Sequence, residues 1–363
     1  MTNQFKIIIA GILCIVFIAL LFFYLSSEKM ETEIIVNQTN ENVKDKLNRD
    51  IDSVLSTFGI KKEWIKAPVV KGKETKEKDF IINREVLIPV DLAAIELNYE
   101  ISNILQKYNL TDRVTEDPRT KNLVISIFSK KDSILYQTGK LNFIYTDSAR
   151  RYASHVSIVL DSIDSEPITD AERILSSTEQ LSVLMPLRND KADYQSLITG
   201  SGKDYLLGLS IGDDDDIQAD FNSGMKEKSL KSKIRSLSLS FSSASGVILT
   251  GRNVSPELYE LVSNEFLKNN LGVYGDTIFS AFKKTDSKVD LLFEDIINKT
   301  NAGKKYLFYS LRFTPSEFAG YDEKVYKMKK LGYKFVSFKE LIRIMTNKVS
   351  SQQNDSLKNT IKK

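Results

Sequence analysis

The stretch His155-Val-Ser-Ile-Val-Leu-Asp-Ser-Ile-Asp164 holds the side chains whose types and spacing could do chemistry. Asp161 and Asp164 follow an apolar, β-branched run from Val156 to Leu160. A run of that kind suits a strand buried on both faces of a parallel sheet. Asp161 then falls at the carboxyl end of the strand, the edge where α/β barrels and open α/β sheets carry their chemistry. A carboxylate held there can act as a general base once its pKa is tuned. It can equally be a loop side chain that caps the next helix, and the pattern alone does not separate the two. His155 is the single histidine of the 363 residues. That excludes multi-histidine zinc sites and limits any His-Asp-Ser triad to this one residue.

Two other patterns carry less. Gly200-Ser-Gly202-Lys203 looks like part of a phosphate loop, but Leu197 stands where its first Gly belongs and Asp204 where Ser or Thr must meet magnesium. No nucleotide partner is expected. Four adjacent carboxylates, Asp213 to Asp216, cannot all converge on one ion, and their spacing does not match a calcium loop. A solvated acidic loop is expected there, with a weak cation site as the alternative. Asn-x-Ser/Thr sequons begin at Asn37, Asn109, Asn253, Asn298 and Asn354 and matter only if the source glycosylates them. The 51 basic and 48 acidic residues nearly cancel to +3, and no basic stripe with interleaved aromatics stands out, so no nucleic-acid partner is expected.

The elements that must position Asp161 follow from periodicity. From residue 155 to about 347, apolar strands alternate with amphipathic helices. Seven strands are expected, at 156–161, 181–185, 205–211, 245–249, 271–274, 305–311 and 333–336, which means a parallel sheet, open or rolled into a barrel. The clearest helices are Pro256 to Asn269, Lys288 to Asn301 and Pro315 to Leu331, with Ser255 and Thr314 as caps ahead of the prolines. Upstream, residues 43–150 read as a small α+β domain. It begins with an amphipathic helix from Val43 to Phe58 that Gly59 ends. A strand from Val86 to Val90, a helix from Leu92 to Tyr108 and strands near 122–128, 133–138 and 141–146 follow.

Residues 7–25 carry no charge, and a helix of that length spans about 28 Å, close to the hydrocarbon thickness. Lys6 precedes it, and Glu28, Glu31 and Glu33 outnumber Lys29 after it. The positive-inside rule then leaves residues 1–6 in the cytoplasm and the bulk of the chain extracytoplasmic, on a single-pass anchor. A cleaved signal peptide is the competing possibility, but no small-x-small site follows. Cys14, the one cysteine, lies in this segment behind Leu13, so it reads as a membrane-embedded side chain and not as a lipidation site. Residues 26–42 form a polar linker and residues 348–363 a polar tail.

The segments of the second half, in order, resemble those of the divergent polysaccharide deacetylases. Val156-Ser-Ile-Val-Leu-Asp161-Ser162-Ile-Asp164 resembles that family's opening strand, which ends in Asp-Asp and Gly. Leu181-Ser-Val-Leu-Met-Pro186 is similar to its second strand and Tyr205-Leu-Leu-Gly208-Leu-Ser210 to its third, where the family carries a His. Ser245-Gly-Val-Ile-Leu-Thr250-Gly251, Gly272-Val-Tyr-Gly-Asp276-Thr277 and Leu307-Phe-Tyr-Ser310-Leu resemble the segments that bear a His, an Asp-Ser pair and a final His. The resemblance covers about residues 155–345. It implies an incomplete seven-stranded β/α barrel after the small α+β domain, and in active members a divalent ion such as zinc that activates water.

The departures concern that ion. Asp161 stands where the family has its base, but the second Asp is Ser162, and the histidine positions read Gly208, Thr250 and Ser310. His155 lies about 20 Å of extended chain from Asp161 and does not replace them. No zinc site and no cofactor are therefore expected. The expected function is that of a membrane-anchored protein of the cell envelope whose deacetylase-like barrel binds a glycan or scaffolds an envelope protein. Asp161 is then the remnant of the base, and Ser162, Asp164, Ser210, Thr250, Asp276 and Ser310 line the cleft. The alternative is an active deacetylase or other carbohydrate hydrolase, metal-dependent or working through carboxylates alone.

Overall fold

The computed structural model describes residues 43–67, 80–131, 133–151, 153–212, 219–251, 254–280 and 288–347. The anchor expected at 7–25, the linker, Asp213 to Asp216 and the tail lie outside these residues. Among the described residues no helix is long and apolar enough to cross a membrane. The chain divides into two compact units, with the division between Arg150 and Arg151.

The first unit opens with α1 (43–57), whose Leu47, Ile51 and Leu55 recur at helical spacing and are fully buried. Gly59 ends it in the left-handed region at φ 70°. Strands β1 (Ile65–Lys66) and β2 (Ile82–Pro89), helix α2 (Ala94–Lys107) and strands β3 (Leu110–Glu116), β4 (Leu123–Lys131) and β5 (Ile134–Thr146) follow. The sheet order is β1-β2-β5-β4-β3, with β2 parallel to β5 and the other neighbours antiparallel. Arg84 of β2 pairs with Asp52 and donates to Asn48 Oδ1 at 2.8 Å, which pins α1 to the sheet.

One sequence expectation fails here. Two strands at 133–138 and 141–146 are in fact the single long β5. Gly139 does not break it, because a β-carbon there would lie 2.7 Å from Ile82 Cγ2, so the glycine marks a close approach to β2.

The second unit is a mixed α/β body built on one parallel sheet curled into a half-barrel. Its strands are β6 (His155–Leu160), β7 (Ser182–Met185), β8 (Asp204–Ser210), β9 (Val247–Thr250), β10 (Val273–Gly275), β11 (Tyr306–Leu311) and β12 (Lys334–Phe335). Helices α3 (Ile168–Leu175), α4 (Ala192–Gly200), α5 (Glu227–Ser240), α6 (Pro256–Lys268), α7 (Lys288–Asn301), α8 (Pro315–Ala319), α9 (Tyr321–Lys330) and α10 (338–347) complete it. The order is β10-β9-β8-β7-β6-β11. β6 pairs with β11 along its whole length, and on its other side its first two residues pair with β12 and its last two with β7. Edge strands β10 and β11 are not paired, but Ser280 N–H just past β10 donates to the Phe308 carbonyl of β11 at 2.7 Å.

The helix expected from Pro315 to Leu331 is two, α8 and α9, with Gly320 between them. Glycine costs about 1 kcal/mol in a helix interior, and the turn there lets Phe318 stack on Tyr321 at 5.4 Å. Ser255 and Thr314 do cap their helices, Thr314 within a full capping box with Glu317.

Successive side chains of each strand alternate between two buried layers. Val156, Ile158, Val183, Leu207, Val247, Leu249, Leu307 and Tyr309 face the helices. Val159, Leu206, Ile248 and Phe308 face inward and meet Phe338 and Leu341 of α10. Helix α10 thus fills the inside of the half-barrel. Its Phe338 ring lies 5.1 Å from Tyr274 and 5.2 Å from Phe308.

Candidate functional site

The inner face beyond α10 is where the strand ends converge. Two residues on from Val159, Leu206, Ile248 and Phe308, the same face presents Asp161, Gly208, Thr250 and Ser310. Asp161 and Ser310 are half-buried, while Gly208 and Thr250 are exposed. A β-carbon at Gly208 would meet nothing nearer than Leu184 at 3.7 Å, so the concave face is open above β8. The Tyr274 ring lies over Gly246 and Gly272, where a β-carbon would come within 2.8 Å of it. Burial pushes the Tyr274 phenol above its ordinary value.

Each candidate side chain has a definite place. The Asp161 N–H donates to the Leu311 carbonyl at 2.7 Å, and its carboxylate accepts from Ser162 Oγ at 3.0 Å. Ser162 adopts φ 54°, a left-handed conformation that costs an ordinary side chain roughly 1–2 kcal/mol and turns the chain sharply at the strand end. Asp164 is drawn away by Lys191, whose Nζ lies 3.4 Å from its carboxylate and donates to its carbonyl at 2.9 Å. Ser210 and Thr250 are register partners on β8 and β9. Asp276 is exposed at the first position of the 3-10 turn after β10. Asp161 with Ser310, and Ser210 with Thr250, therefore stand on neighbouring strands, while Asp164 serves a loop contact.

Three further groups matter at this edge. Asp220 accepts from both the N–H and Oγ of Ser210, at 2.9 and 3.0 Å, and returns its own N–H to Ser210 Oγ. Lys233 of α5 donates to the Asp220 carbonyl at 2.9 Å and lies 3.4 Å from its carboxylate, so this residue is tied down. Arg312, two residues past Ser310, pairs with Glu166 at 3.0 Å. Strand alternation carried one step further would have found Arg312. Asp220 sits in an irregular loop with no periodicity to betray it.

The residues do not fit the divalent ion that the family resemblance implies. Asp161 is bonded by Ser162, and glycine, threonine and serine stand where imidazoles would be needed. Among the described residues no group of three His, Cys, Asp or Glu side chains is placed to hold a metal. What the edge offers is a carboxylate and three hydroxyls on an open concave surface. That set suits hydrogen bonding to a polyhydroxylated ligand.

No protein-family model matches the chain, and no curated protein matches it either.

Proposed function

We propose that the second unit is a degenerate deacetylase-like barrel that binds a glycan in the cleft at the carboxyl ends of its strands. The protein would act as a membrane-anchored binding or scaffolding module of the cell envelope. The observation that carries this is the open inner face at Gly208, bordered by Asp161, Thr250 and Ser310. Hydroxyls and a carboxylate there can exchange hydrogen bonds with sugar hydroxyls and amides.

The test is titration of the full-length protein with N-acetylglucosamine oligomers. Saturable binding is expected, and Gly208→Leu, whose β-carbon would meet Leu184 only at ordinary contact distance while the side chain fills the cleft, should weaken it at least tenfold. Equal affinity in wild type and Gly208→Leu would place any binding elsewhere. The second reading, a hydrolase using carboxylates alone, rests on Asp161 at the strand end. Acetate release from the same oligomers that disappears in Asp161→Ala would establish it in place of the binding module.

A further inference from the structure

A second concave site lies at the other end of the sheet, where β6 and β11 begin. It is a pocket of about 280 Å³ lined by Arg151, His155, Thr300, Lys304, Lys305 and Tyr306, among others. Among the described residues that line it are three cationic side chains and the chain's only imidazole, and no carboxylate. Among the described residues neither Lys304 nor Lys305 enters an ion pair, although most lysines of α5, α7 and α9 near acids do.

The walls are built, not incidental. Arg151 Nη1 donates to the Lys330 carbonyl at 2.8 Å, which fixes the guanidinium. Gly332, at φ 103°, leaves the space it occupies, since a β-carbon there would lie 3.0 Å from Arg151 Nε. Ser154, almost fully buried, binds Thr300 Oγ1 at 2.7 Å and also the Lys304 carbonyl, and so holds the α7–β11 turn against β6. The His155 ring lies 6.0 Å from that of Tyr306. The carboxyl end of α7 has the wrong sign for an anion. Its Lys299 and Thr300 carbonyls, however, are already taken by Lys304 N–H and Gly303 N–H.

A concave surface lined by one sign of charge concentrates counter-ions. The lining comes from three segments: Arg151, the start of β6 with the His155 imidazole, and the α7–β11 turn with Lys304 and Lys305, whose guanidinium, imidazole and ammonium N–H groups can all donate to phosphate oxygens. The volume is that of a phosphate ion and several waters, at about 30 Å³ per water. We infer that this pocket binds a phosphate or phosphomonoester dianion, separately from the cleft at the opposite strand ends.

The test is calorimetric titration of the full-length protein with inorganic phosphate at constant ionic strength set by chloride. Saturable one-to-one binding is expected. Lys304→Ala/Lys305→Ala should weaken it at least tenfold and His155→Gln severalfold. Lys226→Ala/Lys228→Ala, which removes the same charge at the start of α5, should leave it unchanged. A short-chain soluble phosphatidylglycerol serves as the phosphodiester arm and should bind more weakly than phosphate. Absence of saturable binding, equal loss in both lysine pairs, or binding of the phosphodiester without binding of phosphate would each overturn the assignment.

Discussion

Gly251 ends β9 where a β-carbon would run into the Ile211 carbonyl oxygen and Val254. Gly251→Ala should therefore destabilise the second unit by about 1–3 kcal/mol in urea unfolding. Two inner-face polar residues, Asp204, half-buried, and Ser157, fully buried, should respond in opposite ways. Asp204 accepts from Ser182 Oγ at 3.0 Å, from Ser245 Oγ and from Lys339 N–H at 3.0 Å, so it gathers two strands and the start of α10. Asp204→Ala strands those donors and should cost ~1–3 kcal/mol in the same measurement. The Ser157 hydroxyl is fully buried without a partner among the described residues, so Ser157→Ala should be neutral or stabilising. Tyr309 gives a pH dependence. Its hydroxyl donates to Asp295 at 2.7 Å, and burial, followed by that carboxylate, raises its pKa well above the ordinary 10.0. The unfolded phenol thus ionises first, so the contribution is intact below pH 10 and is lost as pH rises beyond it. Tyr309→Phe should flatten this alkaline loss of stability, followed by circular dichroism. Position made Asp161 legible in the sequence as a strand-end carboxylate. The role of Asp204 was not legible, because its partners Ser182, Ser245 and Lys339 come from three distant segments.

Helix α10 is the element on which the inside of the half-barrel depends. Phe338 is fully buried against Tyr274, Phe279 and Phe308. Phe338→Ala should cost about 3–5 kcal/mol and release α10, which hydrogen exchange of residues 338–347 would register as lost protection. The parallel strands were readable because each is a short apolar run between helical patterns, and Val156 to Leu160 is the plainest case. β3 was not readable. Of Leu110-Thr-Asp-Arg-Val-Thr-Glu116 only Leu110 is buried, since β3 is an edge strand whose outer side faces solvent. The inward packing of α10 was also hidden. Its amphipathic pattern fixes which residues are apolar, not that a half-barrel will receive them.

At the scale of the whole molecule, each unit owns its core. Leu47, Ile51, Val86, Ile101 and Phe143 belong to one cluster, and the two layers of the second unit to others. Residues 43–150 and 151–347 expressed separately should therefore each unfold cooperatively, with dispersed amide spectra in nuclear magnetic resonance. The placement of β6 carries a consequence for biosynthesis. Apart from the two residues it pairs with on β7, its neighbours come from residues 306–311 and 334–335, far later in the chain. A nascent polypeptide emerging from the ribosome holds this central strand, with only β7 beside its last two residues, long before β11 and β12 exist. Its apolar side chains must wait, exposed to chaperones or to aggregation, until residues 306–335 have been translated.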